Sequence, residues 1–411
     1  MKFRALAISL FCVVSSILVM CSFSSAQQET ILLDLTFNFG IGGDALGNLF
    51  RDAKGNLYGT TSTGGPKSGG TVFELTPGPN GTWTHKPLYT FKIGFYDGQK
   101  PEAGVLFDAT GNLYTTTYFG GLYDQGTVFE LIPQSSGLWK EKRLHSFGGT
   151  QQDGKNPVEI IFDSLGNIYG TTWIGGKYNL GVAYELMPQS DGTWKEKILH
   201  SFNWDGTDGF TPLAGLVMDA RGNLYGATAS GGTALGGTVF ELSPTGQGLW
   251  KETILHNFAL DGVDGTGPFG TLIFDRAGNL YGTTIGGGPN NKGTVFELSP
   301  AGKGVWTESI LHDFGAESDG QNPGSALIFD RSGNLYGVTE AGGTYNLGTA
   351  FELSPATGGG WSETVLHNFG SLSFDGIAPV GSLIFDPAGN LYGTTDEGGT
   401  TGYGTVYEIT P

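Results

Sequence analysis

The sequence has almost no cysteine: its only two, Cys12 and Cys21, lie near the N-terminus, and none follows them. A disulfide framework is therefore excluded for the rest of the chain. After residue 20, no apolar run is long enough to span a bilayer. The stability of the folded chain must come from packing, which 411 residues allow.

Basic residues are also scarce, with 21 Lys and Arg against 39 Asp and Glu and a net charge of −18. If Lys2 and Arg4 are removed with a leader, 19 basic residues remain and the net charge becomes −20. This balance disfavours nucleic acid and anionic membrane surfaces as partners, and it favours neutral or cationic ligands. We expect a monomer that binds a glycan or an extracellular protein.

Known catalytic signatures are missing too. The sequence contains neither a Gly-x-Ser-x-Gly elbow nor a His-Glu-x-x-His helix motif. It also contains no stretch with a helical period and helix caps, which points to an all-β fold.

The N-terminus has the pattern of a secretory signal peptide. Lys2 and Arg4 precede an apolar run over residues 5–20, and small residues follow up to Ala26. We predict a leader over residues 1–26 and a single domain over residues 27–411, exported to the periplasm or the cell exterior. Two alternatives remain: an uncleaved anchor helix, and lipidation at Cys21, although Met20 stands where a lipobox has a small residue.

The most informative feature that is present is a repeat of 55 or 56 residues. Seven near-equal copies indicate a repeat architecture before any single residue is interpreted. The tetrad Gly-Asn-Leu-Tyr, or Gly-Asn-Ile-Tyr in the third copy, starts at Gly55, Gly111, Gly166, Gly222, Gly278, Gly333 and Gly389.

Each repeat predicts four short strands separated by turns. In one copy, the Asp275-Arg-Ala-Gly278 segment predicts a tight hairpin, because Asp bonds to nearby amides and Gly accepts a positive φ. A glycine-rich loop over residues 286–293 separates the second strand from the third. The predicted strands of this copy cover residues 271–275, 279–284, 294–298 and 306–314.

Seven units of four antiparallel strands predict a seven-bladed β-propeller. The last repeat lacks its fourth strand, and residues 30–39 resemble such a strand without having a repeat of their own. We therefore expect the N-terminal strand to complete the last blade and close the ring. The first strands should line the channel. The loops between second and third strands should share one face, the expected ligand face, with the loops between blades.

Three recurring segments carry a resemblance to known families: Gly-Asn-Leu-Tyr-Gly-Thr-Thr, Gly-Thr-Val-Phe-Glu-Leu and Leu-His-x-Phe. The chain resembles the GloVer-type tandem-repeat family of secreted bacterial proteins, and its Asp-x-x-Gly-Asn-Leu-Tyr element is similar to NHL-type propeller repeats. The resemblance implies a propeller fold and export, and it implies no particular activity.

The loops between blades carry a recurring Asp-Gly pair. Each of these aspartates either bonds to a neighbouring backbone and fixes the blade angle, or contributes to an acidic ring that binds calcium or sugar hydroxyls. Their spacing lacks the dense ligand pattern of an EF-hand loop, which argues against a calcium site of that type. Calcium is the one ion considered, and no other metal or cofactor is expected. The set is Asp97, Asp153, Asp208, Asp264, Asp319 and Asp375.

Aromatic residues on the expected ligand face are further candidates for binding. Tyrosines recur in the Gly-Gly loops, where they either pack on glycine or stack on flat polar ligands, and two tryptophans break the repeat. The candidates are Tyr123, Tyr178, Tyr345, Tyr403, Trp173 and Trp204.

Five histidines occupy one position in consecutive fourth strands. A zinc ion shared between blades is disfavoured, because equivalent rim positions should lie much further apart than zinc ligands do. A repeated hydrogen bond within each blade is the expected role. These residues are His145, His200, His256, His312 and His367.

The first functional hypothesis is a non-enzymatic binding or scaffold module that uses the loop face. The alternative is a hydrolase or lyase that acts on polysaccharide or lactone at the channel mouth, and a purely structural surface protein is a third option. Near-identical repeats favour the first, since an active site needs different residues in defined roles. The carboxylates that break the repeat, and that the alternative would use, are Glu102, Glu159, Glu340, Asp396 and Glu397.

Overall fold

A computed structural model describes residues 28–37, 40–94, 96–316 and 318–410. The predicted leader, with Cys12 and Cys21, lies outside the described residues. The described part is all-β, apart from the 3₁₀ turn Pro79–Gly81. No helix in it has the length and apolar character needed to cross a membrane.

The strands form seven antiparallel blades around one axis, as the repeat predicted. Blade 1 contains Phe50–Arg51, Leu57–Thr61, Ser68–Pro77 and Trp83–Lys92. Blade 2 contains Gly98–Gln99, Leu106–Phe107, Leu113–Thr117, Phe119–Gly120, Thr127–Pro133 and Trp139–Ser146. Blade 3 contains Gly154–Phe162, Ile168–Gly175, Val182–Pro188 and Trp194–Ser201.

The remaining blades follow the same plan. Blade 4 contains Gly209–Phe210, Val217–Met218, Leu224–Thr228, Ser230–Gly231, Leu235–Gly246 and Leu249–Ala259. Blade 5 contains Gly265–Pro268, Ile273–Phe274, Leu280–Gly287, Thr294–Gly302 and Val305–Asp313. Blade 6 contains Gly320–Gln321, Ile328–Phe329, Leu335–Thr339, Ala341–Gly342, Thr349–Pro355 and Trp361–Asn368. Blade 7 contains Gly376–Pro379, Ile384–Phe385, Leu391–Gly398, Thr405–Thr410 and the N-terminal Gln28–Asp34.

The innermost strand differs from its predicted extent. In blade 5, the expected strand over residues 271–275 shrinks to Ile273–Phe274, and the Asp-Gly loop continues directly into a separate strand, Gly265–Pro268. Both pieces pair with Leu280–Gly287. The ladder breaks between them because Gly267 has a φ of +64° and Pro268 has no amide hydrogen to donate.

The ring closes as predicted. Gln28–Asp34 pairs antiparallel with Thr405–Thr410, with Glu29 opposite Ile409 and Ile31 opposite Tyr407. The N-terminal strand is thus the outer strand of blade 7, and it pairs with the edge that Thr405–Thr410 would otherwise expose. The strand ends at Asp34, before the predicted end at residue 39, and residues 38–39 lie outside the described residues.

The hydrophobic core lies between blades and is divided into seven clusters. Each cluster joins the inward face of one blade to its neighbour, as where Phe258 of blade 4 contacts Phe296 of blade 5 with ring centroids 5.1 Å apart. Both side chains are fully buried. Burial of each such ring contributes about 1.5–3 kcal/mol, so each blade depends on its neighbours for most of its apolar burial.

The aspartate before each Gly-Asn-Leu-Tyr tetrad is a turn former, as expected. The Asp275 carboxylate accepts hydrogen bonds from the amides of Ala277 and Asn279, both at 2.8 Å, and from the Asn279 side chain at 2.9 Å. The same bonds recur in the other repeats, for example from Asn56 to Asp52. The turn therefore needs Asp for its two acceptor oxygens.

Candidate functional site at the channel mouth

A buried apolar residue stands at the start of the innermost ladder of each blade, such as Leu49 before Phe50–Arg51. The residue directly before it in sequence lies at the axis of the propeller. Polar side chains occupy this position in blades 1, 3, 5 and 7, and only glycine or alanine occupies it in blades 2, 4 and 6. We call the seven residues the axial belt: Asn48, Gly104, Glu159, Gly215, Thr271, Ala326 and Ser382.

Hydrogen bonds join the polar members of the axial belt across the channel. The Glu159 carboxylate accepts hydrogen bonds from the Asn48 side-chain amide and from the Thr271 hydroxyl, the latter at 2.8 Å. The Ser382 amide donates to the Asn48 side-chain oxygen at 2.7 Å. Burial raises the pKa of Glu159, although the bonds from Thr271 and Asn48 oppose this. The belt lines an axial cavity of about 120 Å³ and obstructs the channel.

Glycine at position 215 leaves room for the hydrogen bond between Glu159 and Thr271. A Cβ at Gly215 would lie 2.7 Å from Glu159 Oε2 and 2.9 Å from Thr271 Oγ1. The sequence analysis singled out Glu159 but missed Asn48, Thr271 and Ser382. The signal that would have revealed them is that this aligned position alternates between a polar residue and glycine or alanine from one repeat to the next.

A second ring lies above the belt, at the end of each second strand. Its members directly follow the threonine that ends the ladder with the third strand. The preceding threonine repeats in every blade, and a Gly-Gly pair begins two residues later, whereas this position differs in chemistry all round the ring. We call these residues the mouth ring: Ser62, Tyr118, Trp173, Ala229, Ile285, Glu340 and Asp396.

The mouth is acidic on the side of blades 6, 7, 1 and 2. Burial and the charges of Asp44, Glu397 and Glu340 raise the pKa of Asp396 to about 6. Burial also raises the pKa of Glu340 and, together with the charge of Asp396 and against that of Lys100, the pKa of Glu102. The carboxylates that break the repeat therefore converge at the mouth, except Glu159, which lies below it in the belt.

The mouth is aromatic on the side of blades 2 and 3. The rings of Tyr118 and Trp173 lie 5.8 Å apart between centroids, and 37% of Trp173 is exposed. Burial and the charge of Glu102 raise the pKa of the Tyr118 phenol to about 12, so it stays a hydrogen-bond donor. The structure thus places Trp173 in the mouth ring, whereas Trp204 is exposed in the loop before blade 4, with its ring 5.5 Å from that of Phe210 between centroids.

The loops between second and third strands lie on the same face as the loops between blades, as expected. The Gly121 amide, in the loop after the second strand, donates a hydrogen bond to the carbonyl of Asp97 in the loop before the blade, at 2.8 Å. The tyrosines of the Gly-Gly loops are exposed on this face and contact their own surroundings. Tyr123 lies against Gly149, and the Lys177 ammonium lies 4.8 Å from the centroid of the Tyr178 ring. The rings of Tyr403 and Phe37 lie 5.7 Å apart between centroids, and Tyr345 is exposed.

The Asp-Gly aspartates do not form one acidic ring. Asp153, Asp208, Asp319 and Asp375 are buried, and the carboxylates of Asp97 and Asp264 also bond within their own interfaces. The Asp208 carboxylate, for example, accepts hydrogen bonds from the Asn203 amide at 3.0 Å and contacts His200 Nε2 at 2.9 Å. His200, His256 and His312 therefore bond to the next blade, not within their own blade as expected, and His145 and His367 face the equivalent aspartates at 3.6 Å and 3.5 Å.

These features define the class of the protein as a seven-bladed β-propeller with an obstructed axis and an asymmetric mouth. The model of the Gloeobacter/Verrucomicrobia repeat matches residues 19–234 and 215–411, and the chain belongs to this repeat family. A search of curated proteins finds no match to the sequence.

Solved structures resemble the chain in fold. The extracellular domain of a proposed hybrid two-component system from B. thetaiotaomicron matches with a TM-score of 0.60 and 14% identity, over 94% of this chain and 42% of that one. A proposed 6-phosphogluconolactonase from Bacteroides uniformis matches with a TM-score of 0.49 and 16% identity, over 81% and 86% of the two chains. A gluconolactonase from Xanthomonas campestris matches with a TM-score of 0.43 and 14% identity, over 77% and 87%.

Proposed function

We propose that this protein is a non-enzymatic, exported binding module that holds a glycan at the channel mouth. The observation that carries the proposal is the mouth ring, where one aligned position carries a different side chain in each of the seven repeats. A binding site for an asymmetric ligand needs different groups at defined positions, and the ring is the place where this chain supplies them.

The chemistry of the mouth suits a sugar. The exposed face of Trp173, beside Tyr118, offers a flat apolar surface for the C–H face of a pyranose ring. Carboxylates at Glu340 and Asp396 accept hydrogen bonds from hydroxyl groups, and their charge favours a neutral or amine-bearing sugar over an acidic one. Because the axial belt obstructs the channel, the ligand approaches from one face, so a chain end fits better than an internal segment.

The cellular setting belongs to the same proposal. Export through the leader over residues 1–26 would bring the chain to the periplasm or the cell exterior, where glycans are abundant. The net charge of −18 favours solubility there and disfavours nucleic acid. We propose that the protein acts as a monomer.

The test is a glycan array that includes neutral, amine-bearing and acidic sugars, with and without calcium. We expect binding to neutral or amine-bearing chain ends, and we expect Trp173→Ala to weaken it at least tenfold. Trp204→Ala is the matched control, because Trp204 is the more exposed tryptophan and its ring lies beside Phe210 of blade 4, not beside Tyr118. Equal binding by both variants would place the site elsewhere, and the lack of any glycan binding would shift the proposal to a protein partner.

One observation favours the alternative of a hydrolase or lyase. Burial and the charges of Asp44, Glu397 and Glu340 raise the pKa of Asp396 to about 6, and a carboxyl group with a pKa near the working pH suits general acid or base catalysis. Release of reducing ends or opening of a lactone by the wild-type protein, abolished in Asp396→Asn, would establish this activity. Binding without turnover would leave the module non-enzymatic.

A further inference from the structure

A group of three ligand-type side chains recurs between blades, away from the mouth. Each group combines the histidine of one fourth strand, the Asp-Gly aspartate of the next blade and a glutamate from the fourth strand of that next blade. We call these groups the interblade clusters: His145–Asp153–Glu196, His200–Asp208–Glu252, His256–Asp264–Glu308, His312–Asp319–Glu363 and His367–Asp375–Glu29.

The local fold directs the three side chains to one point. A register shift in the fourth strand pairs His145 with Val128 but Arg143 with Phe129, so that Leu144 is the extra residue of a bulge. Bulges of this kind re-aim the neighbouring side chain. The histidine consequently turns from its own blade toward the next one, where the aspartate and the glutamate lie.

The cluster of His145, Asp153 and Glu196 has an unsatisfied interior. His145 Nε2 lies 3.6 Å from Asp153 Oδ1 and 3.7 Å from Glu196 Oε1, and only 4% of Asp153 is exposed. Among the described residues, none of these three buried atoms has a hydrogen-bond partner. Buried polar atoms are rarely left unpaired, because each costs about 1–3 kcal/mol, so three that face one another point to a missing ligand.

A proton satisfies this cluster only in part. A proton shared by the Glu196 and Asp153 carboxyl groups would give these two oxygens a hydrogen bond. A single proton bridges one pair of atoms and leaves the imidazole nitrogen without a contact. A cation between the three groups would contact all of them.

The distances fit a transition metal. Ligands about 2.0–2.2 Å from a tetrahedral zinc ion lie roughly 3.3 Å from one another. Across the five clusters, the histidine Nε2 lies between 2.9 Å and 3.9 Å from the carboxylate oxygens. Calcium requires six to eight oxygen ligands, whereas one imidazole and two carboxylates suit Zn²⁺ with water as the fourth ligand.

We propose that the interblade clusters are binding sites for a divalent transition-metal ion, with Zn²⁺ as the best-fitting probe, and that bound ions cross-link neighbouring blades. Two carboxylates and a neutral imidazole balance the charge of the ion. An entry path exists, because His312, Asp319 and Glu363 line a surface cavity of about 370 Å³. The proposal is independent of ligand binding at the mouth.

Two interfaces of the same ring lack this ligand set. Between blades 1 and 2, Tyr89 stands at the histidine position and donates to Asp97 at 3.2 Å, with Glu141 at the glutamate position. Between blades 7 and 1, Leu33 stands at the histidine position and His85 at the glutamate position. The chain therefore contains its own control interfaces.

The experiment counts Zn²⁺ bound by the full chain, purified after export and stripped with EDTA, by native mass spectrometry and calorimetric titration. The wild-type protein should bind five ions, one for each cluster. Glu196→Gln should bind one ion fewer, whereas Glu141→Gln, the matched control at the Tyr89 interface, should bind the same number as the wild type. The apo Glu196→Gln protein should fold normally, because glutamine has nearly the same shape as glutamate and keeps one side-chain oxygen in the cluster.

Either of two results would overturn the proposal. The first is wild-type binding of Zn²⁺ that is no tighter than binding of Mg²⁺, which would indicate only attraction to an acidic surface. The second is an unchanged Zn²⁺ count in Glu196→Gln. If that variant fails to fold, His145→Gln provides the same comparison, and a raised unfolding temperature in Zn²⁺ that is lost in the variant gives a second readout.

Discussion

Glu29 of the N-terminal strand lies 3.4 Å from the imidazole of His367, measured from Oε2 to Nε2. The two residues are almost the full length of the chain apart, and His367 belongs to blade 6 whereas Glu29 belongs to blade 7. The N-terminal strand therefore closes the ring twice. It pairs with Thr405–Thr410 in its own blade, and it completes a cluster with the preceding blade.

The first prediction concerns this closure. Leu35 follows the N-terminal strand, is fully buried, and donates its amide to the carbonyl of Gly404 at 3.0 Å. Leu35→Ala should lower the free energy of unfolding by about 2–5 kcal/mol, because it leaves a cavity where the ring is joined only by non-covalent contacts. Urea unfolding measures this loss. The exposed Thr30→Ala should stay within about 0.5 kcal/mol of the wild type, and a similar loss in both variants would contradict the assignment.

The second prediction concerns pH. Burial, followed by neighbouring aspartates, raises the pKa of Glu29 and of Glu196 to about 9, whereas an unfolded glutamate titrates near about 4.3. Between these two pKa values the glutamates are ionised in the unfolded chain and protonated in the folded chain. The free energy of unfolding of the metal-free protein should therefore fall as pH rises from about 4.3 to about 9. Urea midpoints across this range, measured in EDTA, test the sign.

Glu29→Gln isolates one group of that pH dependence. Glutamine resembles the protonated glutamate, so the variant should match the wild type below about pH 4.3 and be more stable than it near pH 9. A constant difference between the two proteins across the range would show that Glu29 does not titrate with a raised pKa.

The third prediction concerns the axial belt. Gly215→Ala places a Cβ 2.7 Å from Glu159 Oε2, so the bonds that cross the axis must shift. We expect a loss of about 1–3 kcal/mol in the free energy of unfolding, as for other overpacked sites. Ala326 holds the equivalent position in blade 6 and already carries a Cβ. Ala326→Gly should cost no more than about 1 kcal/mol, and a larger loss there than at Gly215 would refute the packing argument.

The fourth prediction concerns the repeated turn. Asp275→Ala removes the acceptor for two amides and a side chain, each within 2.9 Å, and should lower the free energy of unfolding by about 1–3 kcal/mol. Thermal or urea unfolding provides the measurement. Arg276→Ala, in the exposed neighbour of the same turn, should change it by less than about 0.5 kcal/mol. Equal effects would mean that the turn does not depend on the aspartate.

The repeat allowed much of the fold to be predicted. Seven copies of a strand-forming pattern give the blade number, and the missing fourth strand after Thr405–Thr410 gives the closure by Gln28–Asp34. The carboxylates at Glu340 and Asp396 were also recognisable, because they break the repeat at one aligned position. The split of the inner strand was missed, because the sequence pattern of the repeat does not reveal the positive φ at Gly267, where the ladder breaks.

The sequence by itself determined what depends on neighbouring residues: the strands, the Asp-Gly turns, the period and therefore the number of blades. The tertiary structure decided which side chains from different blades meet. Asn48 contacts Glu159, which is 111 residues away, and His145 contacts Glu196 in the next blade. Such contacts depend on how far each blade is rotated about the axis, and this rotation is set by packing between whole sheets, not by any local pattern.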